Sequence, residues 1–141
     1  MSFLLDTNVV SELAKPSMPR SVELFLSRTA EETLFISVVT LAEIRYGIAL
    51  LPVGLRRERM EQWLDLKLAA RFKSRTLNIE PEIALAWGDL MAGSRRSGAN
   101  LQPMDGLLAA TARVSGLTLA TRNVGHFTDL GVSLFNPWDD T

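Results

Sequence analysis

The chain has 141 residues, 47% of them hydrophobic and 22% charged, which is enough for a domain with its own core and too apolar for a disordered one. It contains no cysteine, so a disulfide framework and a thiolate metal site are excluded. Its net charge of -1 neither demands nor forbids a nucleic-acid partner, because a local basic face can coexist with overall neutrality.

Phe3, Leu4 and Leu5 form a short apolar run that reads as a buried strand. The run leads into Asp6, Thr7 and Asn8, a polar lip at its carboxyl end. Asn8 is placed to cap a short helix through Leu13, which must stop before Pro16. Pro19 suits the first turn of a second helix over 19–29, with Val22, Phe25 and Leu26 on one face. Residues 34–37 form a second apolar run. Thr40 opens a helix to about Leu51, ended by Pro52 and Gly54.

A long helix is expected over 56–75, where Met60, Trp63, Leu64 and Phe72 recur at near-helical spacing. It is strongly basic, with only Glu58, Glu61 and Asp65 as acids. Residues 76–79 read as a third strand, 81–96 as a helix and 98–102 as a polar loop. Pro103 starts a helix to Ser115, with Gly116 as its stop. Strands four and five fall at 117–120 and 132–135, with a loop or short helix between them. The segment Asn136, Pro137 and Trp138 closes the fold.

No repeat or linker interrupts the chain, so residues 1–141 read as a single domain. Short apolar strands alternating with helices predict a three-layer α/β/α sandwich around a central, mostly parallel five-stranded sheet. No window approaches the roughly 20 apolar residues that cross a bilayer. No basic region followed by a long apolar stretch opens the chain either, so a cytoplasmic location is expected.

Ligands of an open parallel sheet bind outside the carboxyl ends of its strands. Asp6 lies at the end of strand one, and Glu43 in the first turn of the helix opened by Thr40. Asp105 lies in the first turn of the helix leading to strand four. Asp105 reaches the same edge if its helix starts there, which a right-handed crossover from strand three allows. Carboxylates crowded together repel and raise one another's pKa, and a hard divalent cation resolves the repulsion. Oxygen donors without His or Cys favour magnesium or manganese over zinc. Each acid also has a structural reading. Asp6 can be a turn or cap residue. Thr40 and Glu43 have the spacing of a capping box. Asp105 can simply face the helix dipole.

These pieces resemble the PIN-domain family, and within it the VapC-type toxins of bacterial toxin–antitoxin pairs. The resemblance is carried, in order, by LLDTNVVSEL (4–13), ISVVTLAEIRYG (36–47), MDGLLAATA (104–112), LATRN (119–123) and FNPW (135–138). It implies a magnesium-dependent endoribonuclease, with manganese as the alternative ion, whose catalytic acids are Asp6, Glu43 and Asp105. Asp6 and Asp105 are the expected metal ligands, with Glu43 holding the ion or the attacking water. The resemblance also implies an antitoxin partner, an RNA substrate, a homodimer or larger assembly, and operator DNA bound only through the antitoxin.

The sequence departs from the family pattern where some members carry a fourth acid, at positions held here by Asn123 and His126. Asn8, Thr121 and Asn123 are expected to support the site, and His126 reads as a structural or surface residue. Arg45, Arg95, Arg96 and Arg122 are candidate phosphate contacts. The basic helix is a second candidate, unless its charges pair among themselves. Met60, Trp63 and Leu64 belong either to the core or to a groove that takes an antitoxin helix. Two other readings compete: a phosphatase-type enzyme with Asp6 as nucleophile, and an inert nucleic-acid or antitoxin-binding module.

Overall fold

A computed structural model describes residues 1–139. Five strands, β1 (Phe3–Leu5), β2 (Leu34–Ser37), β3 (Thr76–Leu77), β4 (Thr118–Ala120) and β5 (Leu134–Phe135), form one sheet in the order β3-β2-β1-β4-β5. Every pairing is parallel. β1 is central, as its uninterrupted apolar run requires.

Successive residues of β1 face opposite layers. Phe3 and Leu5 enter one core with Val9, Val10, Ile44, Ile48, Leu64 and Leu68. Leu4 enters the other with Leu90, Leu108, Ala109, Leu119 and Phe127. The first core is covered by α1 (Thr7–Glu12), α2 (Arg20–Arg28), α3 (Val38–Ala49) and the helices after it, and the second by α6 (Pro81–Ser97) and α7 (Pro103–Ser115). The expected three-layer sandwich is therefore present. Among the described residues, no helix is long and apolar enough to cross a membrane.

Three local expectations change. The cap of α1 is Asp6, not Asn8: Asp6 has extended backbone and its carboxylate accepts the Thr7 N–H. The chain turns directly off the strand, which leaves Asn8 inside the helix. Likewise α3 starts before Thr40. Ser37, the last residue of β2, accepts the Val39 N–H at 3.0 Å. Glu43 therefore lies in the second turn, and the capping-box reading of Thr40 and Glu43 falls.

The long basic helix is broken into α4 (Leu55–Gln62), a π-helical segment (Trp63–Leu68) and α5 (Ala69–Arg71). Its carboxyl end is closed by side chains, with Arg75 donating to the Arg71 carbonyl and Thr76 to that of Phe72. Much of its charge is neutralised. Arg57 pairs with Glu61 at 3.2 Å, and Arg71 and Arg75 both pair with Glu31, at 2.9 and 2.7 Å. The two guanidiniums hold the Glu31 carboxyl below its ordinary pKa, Arg71 more than Arg75.

Candidate acidic site

Asp6 is the best-anchored residue of the candidate site. Its backbone N–H donates to the Ala120 carbonyl at 2.9 Å. That bond continues the β1–β4 ladder, which ends with Leu5 opposite Ala120. The next residue of β4's chain, Thr121, therefore lies beside Asp6 and donates its hydroxyl to Asp6 Oδ2 at 2.7 Å. Asp6 Oδ1 accepts the Thr7 N–H at 2.7 Å, and the Asn8 amide donates to Oδ2 at 3.4 Å. Asn8 Oδ1 in turn accepts the Arg122 N–H. Asn123 supports the same lip through its backbone, whose N–H donates to the Thr121 hydroxyl at 3.0 Å.

Glu43 reaches the site from α3. The Thr7 hydroxyl donates to its Oε1 at 2.6 Å and lies 3.2 Å from the Thr40 hydroxyl. One residue thus ties two acids together: Thr7 gives its N–H to Asp6 and its O–H to Glu43. Asp105 arrives on the third residue of α7, and His126 Nδ1 stands 3.4 Å from its Oδ2. His126 is 60% exposed, as expected of a surface residue, yet its imidazole stands beside a candidate ligand.

Only 6% of Asp6 is accessible, and burial pushes its carboxyl above the ordinary value. The Thr121 and Thr7 hydrogen bonds oppose that rise, and the charge of Asp105 adds to it. Asp105 is also raised, first by burial and further by Glu43, against the pull of His126. Asp105 therefore lies within the field of both other acids. Among the described residues, no lysine or arginine forms an ion pair with any of the three.

The side chains share a field but not a point. Among the described residues, no three acids or histidines stand close enough together to hold an ion as they are placed. Their chemistry nevertheless suits a hard cation. The donors are carboxylate oxygens, none is paired with a lysine or arginine among the described residues, and burial raises the carboxyls of Asp6 and Asp105.

The arginines stand apart from the acids. Arg45 is paired with Asp65 at 2.6 Å and lies 3.8 Å from Glu61. Arg122 lays its guanidinium over the Trp138 ring, 5.2 Å from the centroid. Arg95 and Arg96 lie exposed in the last turn of α6.

Two grooves flank the site. A larger one of about 810 Å³, of mixed lining, has Asp105 and His126 in its wall, and extends between α6 and the loop carrying Asp129. A smaller one of about 260 Å³ is lined by Thr7, Glu43, Ile44, Ile48, Met60 and Trp63. Met60 and Trp63 are thus groove residues, whereas Leu64 is core.

Thr7, Thr40 and Gly106 were absent from the expected site. Gly106 follows Asp105, and a Cβ there would lie 2.8 Å from Met91 Sδ and 3.1 Å from the Trp87 ring. It lets α7 press against α6, which fixes the turn bearing Asp105. The only sequence signal for these residues is their adjacency to the acids: Thr7 after Asp6, Gly106 after Asp105, and Thr40 one helical turn before Glu43.

Comparison with known proteins places this geometry in context. Residues 3–131 match the PIN domain family. The chain is 38% identical to plasmid stability protein StbB of Pseudomonas syringae pv. tomato, over 96% of this chain and 98% of that one. It is 36% identical to VapC ribonuclease Y4jK of Sinorhizobium fredii, over 96% and 97% of the two chains. The crystal structure of FitAcB from Neisseria gonorrhoeae superposes with a TM-score of 0.88, at 34% identity, covering 96% of this chain and 98% of that one.

Proposed function

The chain belongs to the PIN domain family, and on that footing we propose that it is a metal-dependent endoribonuclease acting as the toxin of a toxin–antitoxin pair. The observation that carries this reading is the buried Asp6 and the half-buried Asp105, both raised by burial and each further raised by a neighbouring acid, Asp6 by Asp105 and Asp105 by Glu43, at the carboxyl edge of a parallel sheet. Similarity to a VapC ribonuclease over nearly the whole chain supports RNA as the substrate.

Asp6 and Asp105 are the residues to hold a divalent cation, magnesium or manganese. Such an ion supplies charge neutralisation at a phosphodiester and makes a water more acidic. The chain's own residues do the rest. Thr121, the Thr7 N–H and Asn8 fix both oxygens of Asp6. Glu43, steadied by Thr7, orients the attacking water. His126 stands where charge or a proton on the polar side meets Asp105.

The smaller groove, apolar along Ile44, Ile48, Met60 and Trp63, suits the apolar face of an antitoxin helix. Because Glu43 and Thr7 line that groove, a helix seated there also covers one wall of the site. Operator DNA would then be bound through the antitoxin, with this chain as a homodimer or larger assembly. The discriminating test is expression of wild type and Asp105→Asn in cells, with new RNA ends mapped across the transcriptome. New ends with wild type alone are expected. Equal growth arrest by both, or no new ends with wild type, defeats the nuclease reading.

A further inference from the structure

We infer that the larger groove beside Asp105 is a base pocket, taking one unpaired guanine of the RNA next to the cut phosphodiester. This rests on the ribonuclease reading above. Its volume of about 810 Å³ falls in the roughly 300–1,000 Å³ range of clefts that take small ligands. It opens from Asp105 itself, so a strand whose phosphate reaches the acids places a neighbouring nucleotide in it.

The lining tells which part of that nucleotide enters. Among the described residues no lysine or arginine lines the groove, while Asp89 and Asp129 face it in addition to Asp105. Such a surface repels a phosphate and leaves the backbone outside. Buried Leu90 and half-buried Leu101 and Leu130 line it beside the exposed Asn100. A flat apolar body with polar edges matches that arrangement, which is the form of a nucleobase and the usual target of sequence-specific RNA readers.

The carboxylates narrow the base further. They only accept hydrogen bonds. Guanine alone offers two adjacent donors on its Watson–Crick edge, N1–H and the 2-amino group, which one carboxylate can take together. Adenine and cytosine offer a single amino group there, and uracil one ring N–H. Asp129 carries a second indication. It is the one described non-glycine residue with positive φ, at 66°. Aspartate tolerates that left-handed conformation better than most residues, and residues held in it concentrate at ligand sites.

The test measures binding of a short single-stranded RNA, containing one guanosine or one inosine, to the full chain in chelator and low salt. Inosine lacks only the 2-amino group. Wild type is expected to favour guanosine about tenfold, the scale of a bidentate base contact. Asp89→Asn or Asp129→Asn, each close in shape to the native residue, is expected to erase most of that preference. Equal binding of the two RNAs by wild type, or full preference kept in both variants, overturns the proposal. Cleavage mapping with magnesium separates the two readings. Cutting without guanine discrimination leaves the nuclease and removes the pocket, whereas discrimination without cutting does the reverse.

Discussion

Asp6 and Asp105, the two proposed metal ligands, are anchored in opposite ways. Asp6 is buried, and donors from Thr7, Asn8 and Thr121 meet both its oxygens. Asp105 sits at a helix start, keeps 23% of its side chain exposed, and among the described residues has the imidazole of His126 as its one polar side-chain partner. One carboxylate is fixed before any ligand arrives, and the other keeps freedom to turn. That contrast accounts for three acids sharing a field without meeting at a point. In the proposed metal site, convergence on an ion would ask for movement from Asp105, with Asp6 as the fixed reference. Preorganising one ligand reduces the ordering that binding must still do.

The sharpest break of this contrast is at Asp6. Asp6→Asn is expected to lower RNA cleavage by more than about a hundredfold, beyond the 10–100-fold typical of outer-shell partners, while circular dichroism stays that of the folded chain. Asn keeps an oxygen for the Thr7 N–H, so the cap of α1 survives. Cleavage within a few-fold of wild type, still sensitive to chelator, would remove Asp6 from the centre of the site.

Next comes the anchorage itself. Thr121→Val deletes the donor that most strongly opposes the burial of Asp6. Losing it moves the carboxyl further up, so protons compete better with a cation. Magnesium affinity, read by titration calorimetry, is expected to fall about 10–100-fold. The acid limb of the cleavage profile should move to higher pH. An unchanged affinity and an unshifted limb would mean that the fixed geometry of Asp6 contributes nothing.

Much of this architecture is legible in the chain, and the illegible part has a physical pattern. The strands are written as apolar runs, because a parallel strand buried on both faces has no polar alternation to hide it. Each residue that ends a run sits at the sheet edge, so Asp6 can be placed without coordinates, and Thr121 can be flagged from the LATRN stretch. Competition between neighbouring caps cannot be read so easily. Ser37 outranks Thr40, and Asp6 outranks Asn8, because backbone at the strand end decides which side chain can reach an N–H. The π-helical turn at Trp63–Leu68 hides behind ordinary helical spacing. Thr7 gains its role only when α1 meets α3, and Gly106 only when α6 meets α7.

That last meeting gives the third expectation, which concerns the freer side of the site. Gly106→Ala forces a methyl group against Met91 and the Trp87 ring. Met91 is flexible and yields, but the indole is held by its own N–H, which donates to the Pro103 carbonyl at 3.0 Å. The variant is expected to lose about 1–3 kcal/mol of stability, the usual cost of overpacking, in a urea melt. Because the strained turn carries Asp105, magnesium affinity should fall as well. A neutral melt would show that α6 and α7 have slack, and that Asp105 is placed by something else.

The smallest effect tests the electrostatics without any RNA. The Asp105 carboxyl has its pKa raised on folding, so the folded chain binds that proton more tightly than the unfolded chain does. Its contribution to stability is then fully present below the unfolded pKa and is lost as pH rises through the folded one. Asp6 has the same sign. Glu31 has the opposite sign, since its contribution is lost as pH falls through its lowered folded value. In chelator, the melting temperature of wild type is therefore expected to rise slightly as pH falls through the raised folded values of Asp105 and Asp6, before the loss of Glu31 and other ion pairs reverses the trend. Asp105→Asn removes a half-buried charge that has no lysine or arginine partner among the described residues, and at neutral pH in chelator it should melt a few degrees above wild type. Magnesium should then invert the order, because an ion that binds only the folded wild type stabilises it by mass action and finds one ligand fewer in the variant. A variant less stable than wild type in chelator would mean that the contact with His126 outweighs the repulsion from Glu43 and Asp6. The exposed end of the site would then be held as firmly as the buried one.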